Sequence, residues 1–360
     1  MKYLVLTNHS YMLWRFRKDL LEKLAEDNEV VIGMPYVGHE DDFAAEGFRC
    51  ISIDIDRRNI NPIDDLKLLN TYRKLLKMER PDKVITYSIK PNIYAGMCCR
   101  WMGIPYFANV QGLGTAFQRK RLAEFVTVLY RIAFKKVRTV FFENNGNAQD
   151  FIKRRIISPE RIKVLPGAGI NLEEFEYIDY PQNDVFRFLF LGRVMKEKGI
   201  DELFAACEQL HDEGEKFQLD IVGFFEDEYK GKVEELEKKG IVKFFGFQTD
   251  PKPYYATSDC VVLPSYHEGM SNVILEGAAI GRPVITSNIP GCNEGVDNEK
   301  SGLLCEKQDV RSLKAAMKKI LSMNREDRRQ MGLNGRKKME NEFEKKIVVR
   351  ETILEIARSK

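Results

Sequence analysis

The stretch Cys260-Val-Val-Leu-Pro-Ser-Tyr-His-Glu-Gly-Met-Ser-Asn-Val-Ile-Leu-Glu276 decides the reading of this 360-residue chain. Cys260 to Leu263 is a short, wholly apolar run, the pattern of a strand buried on both faces. Gly269 permits a tight loop where that strand ends. Ser271 or Asn272 can then cap a helix. The N–H groups of its first turn would form an anion site suited to a diphosphate. Glu268, in the loop, can accept from sugar hydroxyls. Glu276, inside the helix, can hold ribose hydroxyls. The plain structural alternative is a capped helix with two surface glutamates.

Outward from this stretch the pattern repeats. Upstream lie apolar strands at Phe186–Leu191, Phe217–Val222 and Val242–Phe245, and downstream Pro283–Thr286, each followed by a helical stretch. Residues 171–184 are acidic and turn-rich and read as a linker. Before them the alternation runs again, with strands at Tyr3–Leu6, Glu29–Met34, Cys50–Ile55, Val84–Tyr87, Tyr106–Val110, Thr139–Glu143 and Ile162–Leu165. Leu313–Met339 reads as one charged helix. Phe343–Ala357 is a further helix whose apolar face suits packing back on the first half. Alternating strands and helices imply parallel sheets covered on both faces. The expected fold is therefore α/β, with two Rossmann-like, doubly wound domains at 1–170 and 171–342, the helix 343–360 returning to the first. Ligands in such folds bind outside the carboxyl ends of the strands, which predicts a central cleft.

Hydrophobic residues make up 44% of the chain, ample for two cores, and the formal net charge of +3 gives no support for a nucleic-acid partner. The seven cysteines are odd in number, lack a Cys-x-x-Cys pair and read as small core residues in a reducing compartment. The N-terminus lacks the pattern of a signal peptide, and no run approaches the about 18 apolar residues of a membrane span. A cytoplasmic location is expected.

Two glutamates separated by seven residues, within Glu268-Gly-Met-Ser-Asn-x-x-x-Glu276, resemble the signature of the family-4 retaining glycosyltransferases, which have the two-domain GT-B fold. The resemblance implies that Glu268 contacts the donor hexose, Glu276 the ribose, and the amides of Met270, Ser271 and Asn272, next to Gly269, the distal phosphate. His267 can bond a donor phosphate or merely fill the loop. Phe190-Leu-Gly-Arg193-Val and Lys196-Glu-Lys198-Gly199 resemble the family's Gly-Arg, Lys-Gly segment. There Arg193 and Lys198 would neutralise the departing nucleotide diphosphate as its negative charge grows, so that no metal is required. A lysine at a helix start opposes the macrodipole, which itself argues for a bound anion. Gly167-Ala-Gly169-Ile-Asn171 resembles the family's entry to the second domain, with Asn171 in place of the usual aspartate. The nucleobase is expected near Gly246 and Phe247. The implied donor is a nucleotide sugar, UDP-linked by family precedent, with no other cofactor.

Ser88-Ile-Lys90-Pro-Asn92-Ile-Tyr94 and Val110-Gln111-Gly112-Leu-Gly114 resemble a narrower bacterial subgroup that builds capsular polysaccharide, O-antigen and lipid-linked oligosaccharide. Many broader family members carry a histidine near the Gln111 position; this chain does not. Lys90, Asn92, Gln111, Gly112 and Gly114, with His9 and Ser10 at the end of the first strand, are the candidate acceptor residues. Residues 117–138 are basic and amphipathic, a pattern of either a solvated domain helix or a segment at the inner membrane surface. A polyprenyl-diphosphate-linked glycan acceptor suits that segment. His39 and His211 read as solvent residues.

Other chemistries are weaker. Asp54-Ile-Asp56 has the spacing of metal-dependent transferases, but it is also simple strand alternation. The loop after the first strand, Thr7-Asn-His-Ser10, lacks the glycines of a nicotinamide site, and no P-loop motif exists. A nucleotide-sugar epimerase on the same architecture, or a non-catalytic nucleotide-sugar-binding component, remains open at this stage.

Overall fold

A computed structural model describes residues 1–55, 61–113, 117 and 120–358. The chain divides into two units: Met1–Ala168 with Lys346–Lys360, and Gly169–Lys345.

The first unit is a seven-stranded sheet in the order β3-β2-β1-β4-β5-β6-β7, every registered pair parallel. The strands are β1 (Lys2–Leu6), β2 (Glu29–Met34), β3 (Arg49–Ser52), β4 (Lys83–Tyr87), β5 (Tyr106–Val110), β6 (Thr139–Phe142) and β7 (Ile162–Val164). The central strands β4 and β5 are buried at every residue, the polar Lys83, Thr86 and Asn109 included. One face is covered by α3 (Pro62–Glu79), α4 (Gly96–Met102) and α5 (Lys120–Phe134), through Leu68, Tyr72, Cys99 and Tyr130. The other is covered by α1 (Ser10–Ala25) and α2 (Glu40–Ala45), through Leu13, Leu20 and Phe43. Asn61 caps α3, its side chain accepting from Ile63 N at 3.0 Å, with Pro62 in the first turn. α6 (Asn145–Lys153) precedes β7.

The second unit is a six-stranded parallel sheet in the order β10-β9-β8-β11-β12-β13. Its strands are β8 (Phe186–Leu191), β9 (Phe217–Val222), β10 (Val242–Phe244), β11 (Cys260–Leu263), β12 (Val284–Ser287) and β13 (Gly302–Cys305). The helices are α7 (Ile200–Asp212), α8 (Lys230–Lys238), α9 (Lys252–Thr257), α10 (Asn272–Ile280), α11 (Val310–Ser322) and α12 (Arg325–Lys338). In each sheet the strand order reverses once, between β1 and β4 and between β8 and β11. These are the switch points where doubly wound sheets bind ligands.

The last helix, α13 (Lys345–Arg358), buries Val348 and Ile356 in the core of the first unit. Lys83 Nζ donates to Ile356 O at 2.6 Å, and Lys163 pairs with Glu351 at 3.0 Å. The chain re-enters the first unit at Lys346, not at 343, because Ile170 N bonds Phe343 O and Lys345 N bonds Ile170 O. Two other expectations are corrected. Residues 171–184 are not a free linker but a strap of the second unit. Phe175 and Tyr180 are buried there, and the Arg282 guanidinium donates to Ile178 O and Asp179 O at 3.0 Å each. The single charged helix at Leu313–Met339 is two, because Asn324 caps α12 by accepting from Asp327 N at 2.8 Å. All seven cysteines are free.

Candidate active site

The second unit's switch point brings two loops together, Gly192–Gly199 after β8 and Pro264–Ser271 after β11. Tyr266 N donates to Glu197 O at 2.8 Å, stitching one to the other. The Tyr266 hydroxyl also reaches Glu202 in the first turn of α7, at 2.6 and 2.8 Å. This framework places Lys198 Nζ in an ion pair with Glu268 Oε1, and Ser265 Oγ donates to the same oxygen at 2.8 Å. Both charged side chains are largely covered, Lys198 at 18% exposure and Glu268 at 13%. An ammonium carries three donors, so Lys198 can hold Glu268 and still present an N–H to a ligand phosphate.

The loop carrying Glu268 is clamped from above. Gly291, after β12, has φ 87°, and a Cβ on it would meet Gly269 O at 2.5 Å and Glu268 O at 2.7 Å. Ser271 N donates to Gly291 O at 2.9 Å. That bond corrects one expectation: the Ser271 amide is committed within the fold. Ser271 stands at the N-cap of α10, but its side chain makes no capping bond, and Asn272 is the first helical residue. Met270 packs into the core.

Glu276 lies in α10 and is buried, its Oε2 accepting from the buried Tyr255 hydroxyl at 2.9 Å. Arg193 is half exposed, 3.8 Å from Glu226. Gly246 follows β10 and accepts at its carbonyl from Gly223 N at 2.9 Å. Phe247 beside it is 61% exposed and meets the exposed Phe224 edge-on at 6.3 Å. These two rings offer a stacking surface at the ends of β9 and β10. Gly169 is elsewhere. Its φ is 74°, and a Cβ there would meet Lys345 Cα at 2.7 Å, so close backbone packing accounts for this glycine. His267 is exposed, yet partial desolvation first, and then Lys307, lower its imidazole below the ordinary value.

In the first unit the candidate acceptor residues divide. His9 occupies the N-cap of α1 and Ser10 its first turn, at the end of β1, with the Ser10 side chain buried. Gln111 is half-buried and donates to Met12 Sδ at 3.1 Å, and Gly112 follows it. Lys90 is paired with Asp65 at 3.0 Å. Asn92 is removed from the acceptor set. It is buried, its Oδ1 accepts from Thr86 Oγ1 at 2.6 Å, and its Nδ2 donates to Asn109 O at 2.8 Å. Gly114, Asp56 and Arg119 lie outside the described residues. The basic segment is largely α5. Its inner side buries Val126 and Tyr130, while Phe125, Val128 and Ile132 are exposed beside Lys135, Lys136 and Arg138.

Residues 3–144 match the family model "Glycosyl transferase 4-like", and residues 179–338 match "Glycosyl transferases group 1". The chain is a glycosyltransferase that carries both of these domains. Its GT-B fold is shared with solved structures at identities too low to carry more than the fold. A glycosyltransferase from Rickettsia africae superposes with TM-score 0.79 at 18% identity over 100% of both chains. Anabaena HepE in complex with UDP and glucose gives 0.81 at 15% identity over 99% of both chains. Among curated relatives, a Campylobacter jejuni protein is 26% identical over 328 residues, 86% of each chain. It is named N,N'-diacetylbacillosaminyl-diphospho-undecaprenol alpha-1,3-N-acetylgalactosaminyltransferase. An Escherichia coli protein is 28% identical, covering 78% of this chain and 76% of its own. It is named UDP-Gal:alpha-D-GlcNAc-diphosphoundecaprenol alpha-1,3-galactosyltransferase.

The candidate site contains residues that the sequence motifs do not mark. Ser265 lies three residues before Glu268 in the decisive stretch, and its place at the strand end was the available signal. Tyr255 and Gly291 reach the site only through the fold, from α9 and from the loop after β12. Among the described residues, no group of three or more His, Cys, Asp or Glu side chains is placed to hold a metal ion, and no helix is long and apolar enough to cross a membrane.

Proposed function

We propose that this glycosyltransferase moves a hexose or N-acetylhexosamine from a UDP-sugar to a lipid-linked glycan acceptor, with retention of the anomeric configuration and no metal, in bacterial surface polysaccharide or oligosaccharide synthesis. The observation that carries the donor reading is the Lys198–Glu268–Ser265 cluster at the β8/β11 switch point, with Glu276 held by Tyr255 on the adjoining helix. Glu268 accepts from the sugar hydroxyls, and Glu276 from the ribose. Lys198 and Arg193 stabilise the leaving diphosphate. The first-turn amide of Asn272 and the amide of Met270 supply further donors to it, and the base lies by Gly246 and Phe247. The names of the Campylobacter and Escherichia relatives, both ending in α-1,3 transfer to a diphospho-undecaprenol-linked sugar, support the acceptor class and the α-product.

In the step proposed, an acceptor hydroxyl oxygen forms a bond to the anomeric carbon on the face that the diphosphate leaves. The bond from that carbon to the phosphate oxygen breaks, its electron pair goes to the phosphate, and the hydroxyl proton passes to the same phosphate oxygen. UDP and the extended glycan result. Catalysis is then positioning and leaving-group stabilisation by two fixed cations. His9, Ser10, Gln111 and Gly112 face the acceptor. The exposed apolar and basic side of α5 rests on the inner membrane surface, and the protein is cytoplasmic and peripheral.

The test is incubation with radiolabelled UDP-sugars and undecaprenyl-diphosphate-linked sugars in EDTA. A labelled, solvent-extractable lipid with an α-anomer by NMR is expected, and it should vanish in Glu268→Ala. A β-anomer, no lipid product with any pair, or a new sugar formed from the donor alone would overturn the reading; the last outcome is that of an epimerase.

A further inference from the structure

Arg282 is a charged side chain with no exposure to solvent. It stands just past the end of α10, where Gly281 at φ 91° turns the chain. Gly281 N donates to Ala278 O at 3.1 Å and Arg282 N to Gly277 O at 2.9 Å, which closes the helix. A guanidinium has five N–H groups. Here they meet five backbone carbonyls. Nε donates to Tyr255 O at 2.9 Å, Nη1 to Ile178 O and Gly281 O at 3.0 and 3.3 Å, and Nη2 to Asp179 O and Ala256 O at 3.0 and 3.1 Å. One side chain thus fastens α9, the end of α10 and the strap of residues 171–184. Taking its charge out of water is costly, and burial lowers the guanidinium from its ordinary value to about 10.

The two helices that Arg282 joins are the two that carry the Tyr255–Glu276 bond. Tyr255, wholly buried, is held at both ends: its carbonyl accepts from Arg282 Nε, and its hydroxyl donates to Glu276 Oε2 at 2.9 Å. Between these ends the ring lies against α10 at Gly277, where a Cβ would meet Tyr255 Cε1 at 3.6 Å and Val261 Cγ2 at 2.7 Å. Phe175 of the strap meets the ring edge-on at 6.5 Å. The tyrosine therefore shifts only if its main chain shifts, and Arg282 ties that main chain to the helix of Glu276. Arg336 on α12 offers a comparison. It also clasps α10 and the strap, donating to Ala279 O at 3.0 Å and Phe175 O at 2.8 Å, but among the described residues it bonds no atom of α9.

We propose that Arg282 is a positioning residue for the donor's ribose. Acting through Tyr255, it sets the Glu276 carboxylate against the ribose hydroxyls, and with it a preference for ribonucleotides over 2′-deoxyribonucleotides. The proposal rests on the reading of Glu276 as the ribose acceptor given above. Oε2 carries the Tyr255 bond, so a displaced tyrosine turns the carboxylate away from a hydroxyl while contacts to the base and diphosphate stay.

UDP and 2′-deoxy-UDP are titrated calorimetrically in EDTA into wild type, Arg282→Lys and Arg336→Lys, with urea midpoints to show that each variant folds. One hydrogen bond from a hydroxyl to a charged group corresponds to about 10- to 100-fold, so the wild type should prefer UDP by that factor. Arg282→Lys should weaken UDP at least about fivefold and 2′-deoxy-UDP less than about twofold, since only the ribose contact is misplaced. Tyr255→Phe should do the same, and adding it to Arg282→Lys should cost little more, because both act on one carboxylate. Arg336→Lys should lower stability with the wild-type preference kept. Both nucleotides weakened equally in Arg282→Lys, additive effects of the two substitutions, or the same loss of preference in Arg336→Lys would overturn the proposal. Should Arg282→Lys not fold, the wild type still decides: UDP should slow hydrogen exchange at the Arg282 Nε–H more than 2′-deoxy-UDP does, because coupling between two sites is reciprocal, and equal slowing would overturn the proposal. Equal affinity of the wild type for both nucleotides would refute the ribose reading of Glu276 itself, whereas a wild-type preference that survives in Arg282→Lys would refute this inference alone.

Discussion

Replacing Lys198 with Met separates two roles that the Lys198–Glu268 pair combines. The pair is mostly covered, and Glu268 Oε1 would lose its ammonium partner while keeping the Ser265 hydroxyl. Removing one partner of a fully buried pair costs about 3–5 kcal/mol; here residual exposure and the remaining hydrogen bond reduce that to about 2–3 kcal/mol. For a unit the length of Gly169–Lys345 this lowers the melting temperature by roughly 4–12 °C. The double variant Lys198→Met/Glu268→Gln removes both charges. It should recover about half of the loss, about 1–1.5 kcal/mol relative to Lys198→Met, so that a double-mutant cycle gives a coupling of at least that size. Activity should not recover. The leaving-group cation and the hexose-binding carboxylate are both gone, so kcat/KM stays at least about 10³-fold down in single and double variants alike. Urea unfolding and a transfer assay on the four proteins give both numbers. Additive stability losses would refute the structural half, and a double variant within tenfold of wild-type activity would refute the catalytic half.

Three further outcomes follow from the same geometry. Tyr255→Phe removes the bond that orients Glu276 Oε2, so KM for the donor should rise about three- to tenfold with kcat little changed, read from initial rates at varied UDP-sugar. Gly291→Ala places a Cβ against Glu268 O and Gly269 O at a positive φ; it should lower kcat/KM by at least about tenfold with a stability loss of about 1–3 kcal/mol, checked by kinetics and denaturant titration. Partial desolvation lowers the pKa of the exposed His267, so the small stability it contributes is present above the ordinary histidine value and falls as pH drops below it, because the unfolded chain binds a proton that the folded loop resists. His267→Gln should flatten that part of the acid side of the profile, measured as urea midpoints between pH 7.5 and 5.5.

The inner strands were the most legible, since those buried on both faces read as apolar runs, Cys260–Leu263 above all. β13 was missed: Gly302-Leu-Leu-Cys305 is short and follows the polar Asn298-Glu-Lys-Ser301, so nothing local marks a strand. The α11/α12 break was hidden in a charged run with no glycine or proline at the junction, although Asn324 with Asp327 three residues on is a capping pattern. In the site, Glu268, Glu276, Arg193 and Lys198 were singled out because the motifs that carry them resemble those of the family-4 glycosyltransferases. Asn92 did not. Its amide looks available in Pro-Asn-Ile, and only the fold shows Thr86 and Asn109 consuming it.

The central claim is a donor site in the second unit built on fixed cations rather than a metal. The most direct test is the melting temperature of the chain with UDP in EDTA, for wild type and Arg193→Ala. UDP at about 100 times its Kd should stabilise the wild type by about 2.7 kcal/mol, a rise of roughly 5–11 °C for a unit of this size, and the rise should be largely lost in the variant. No rise in wild type, an equal rise in Arg193→Ala, or a rise that appears only when a divalent metal is added would contradict the account.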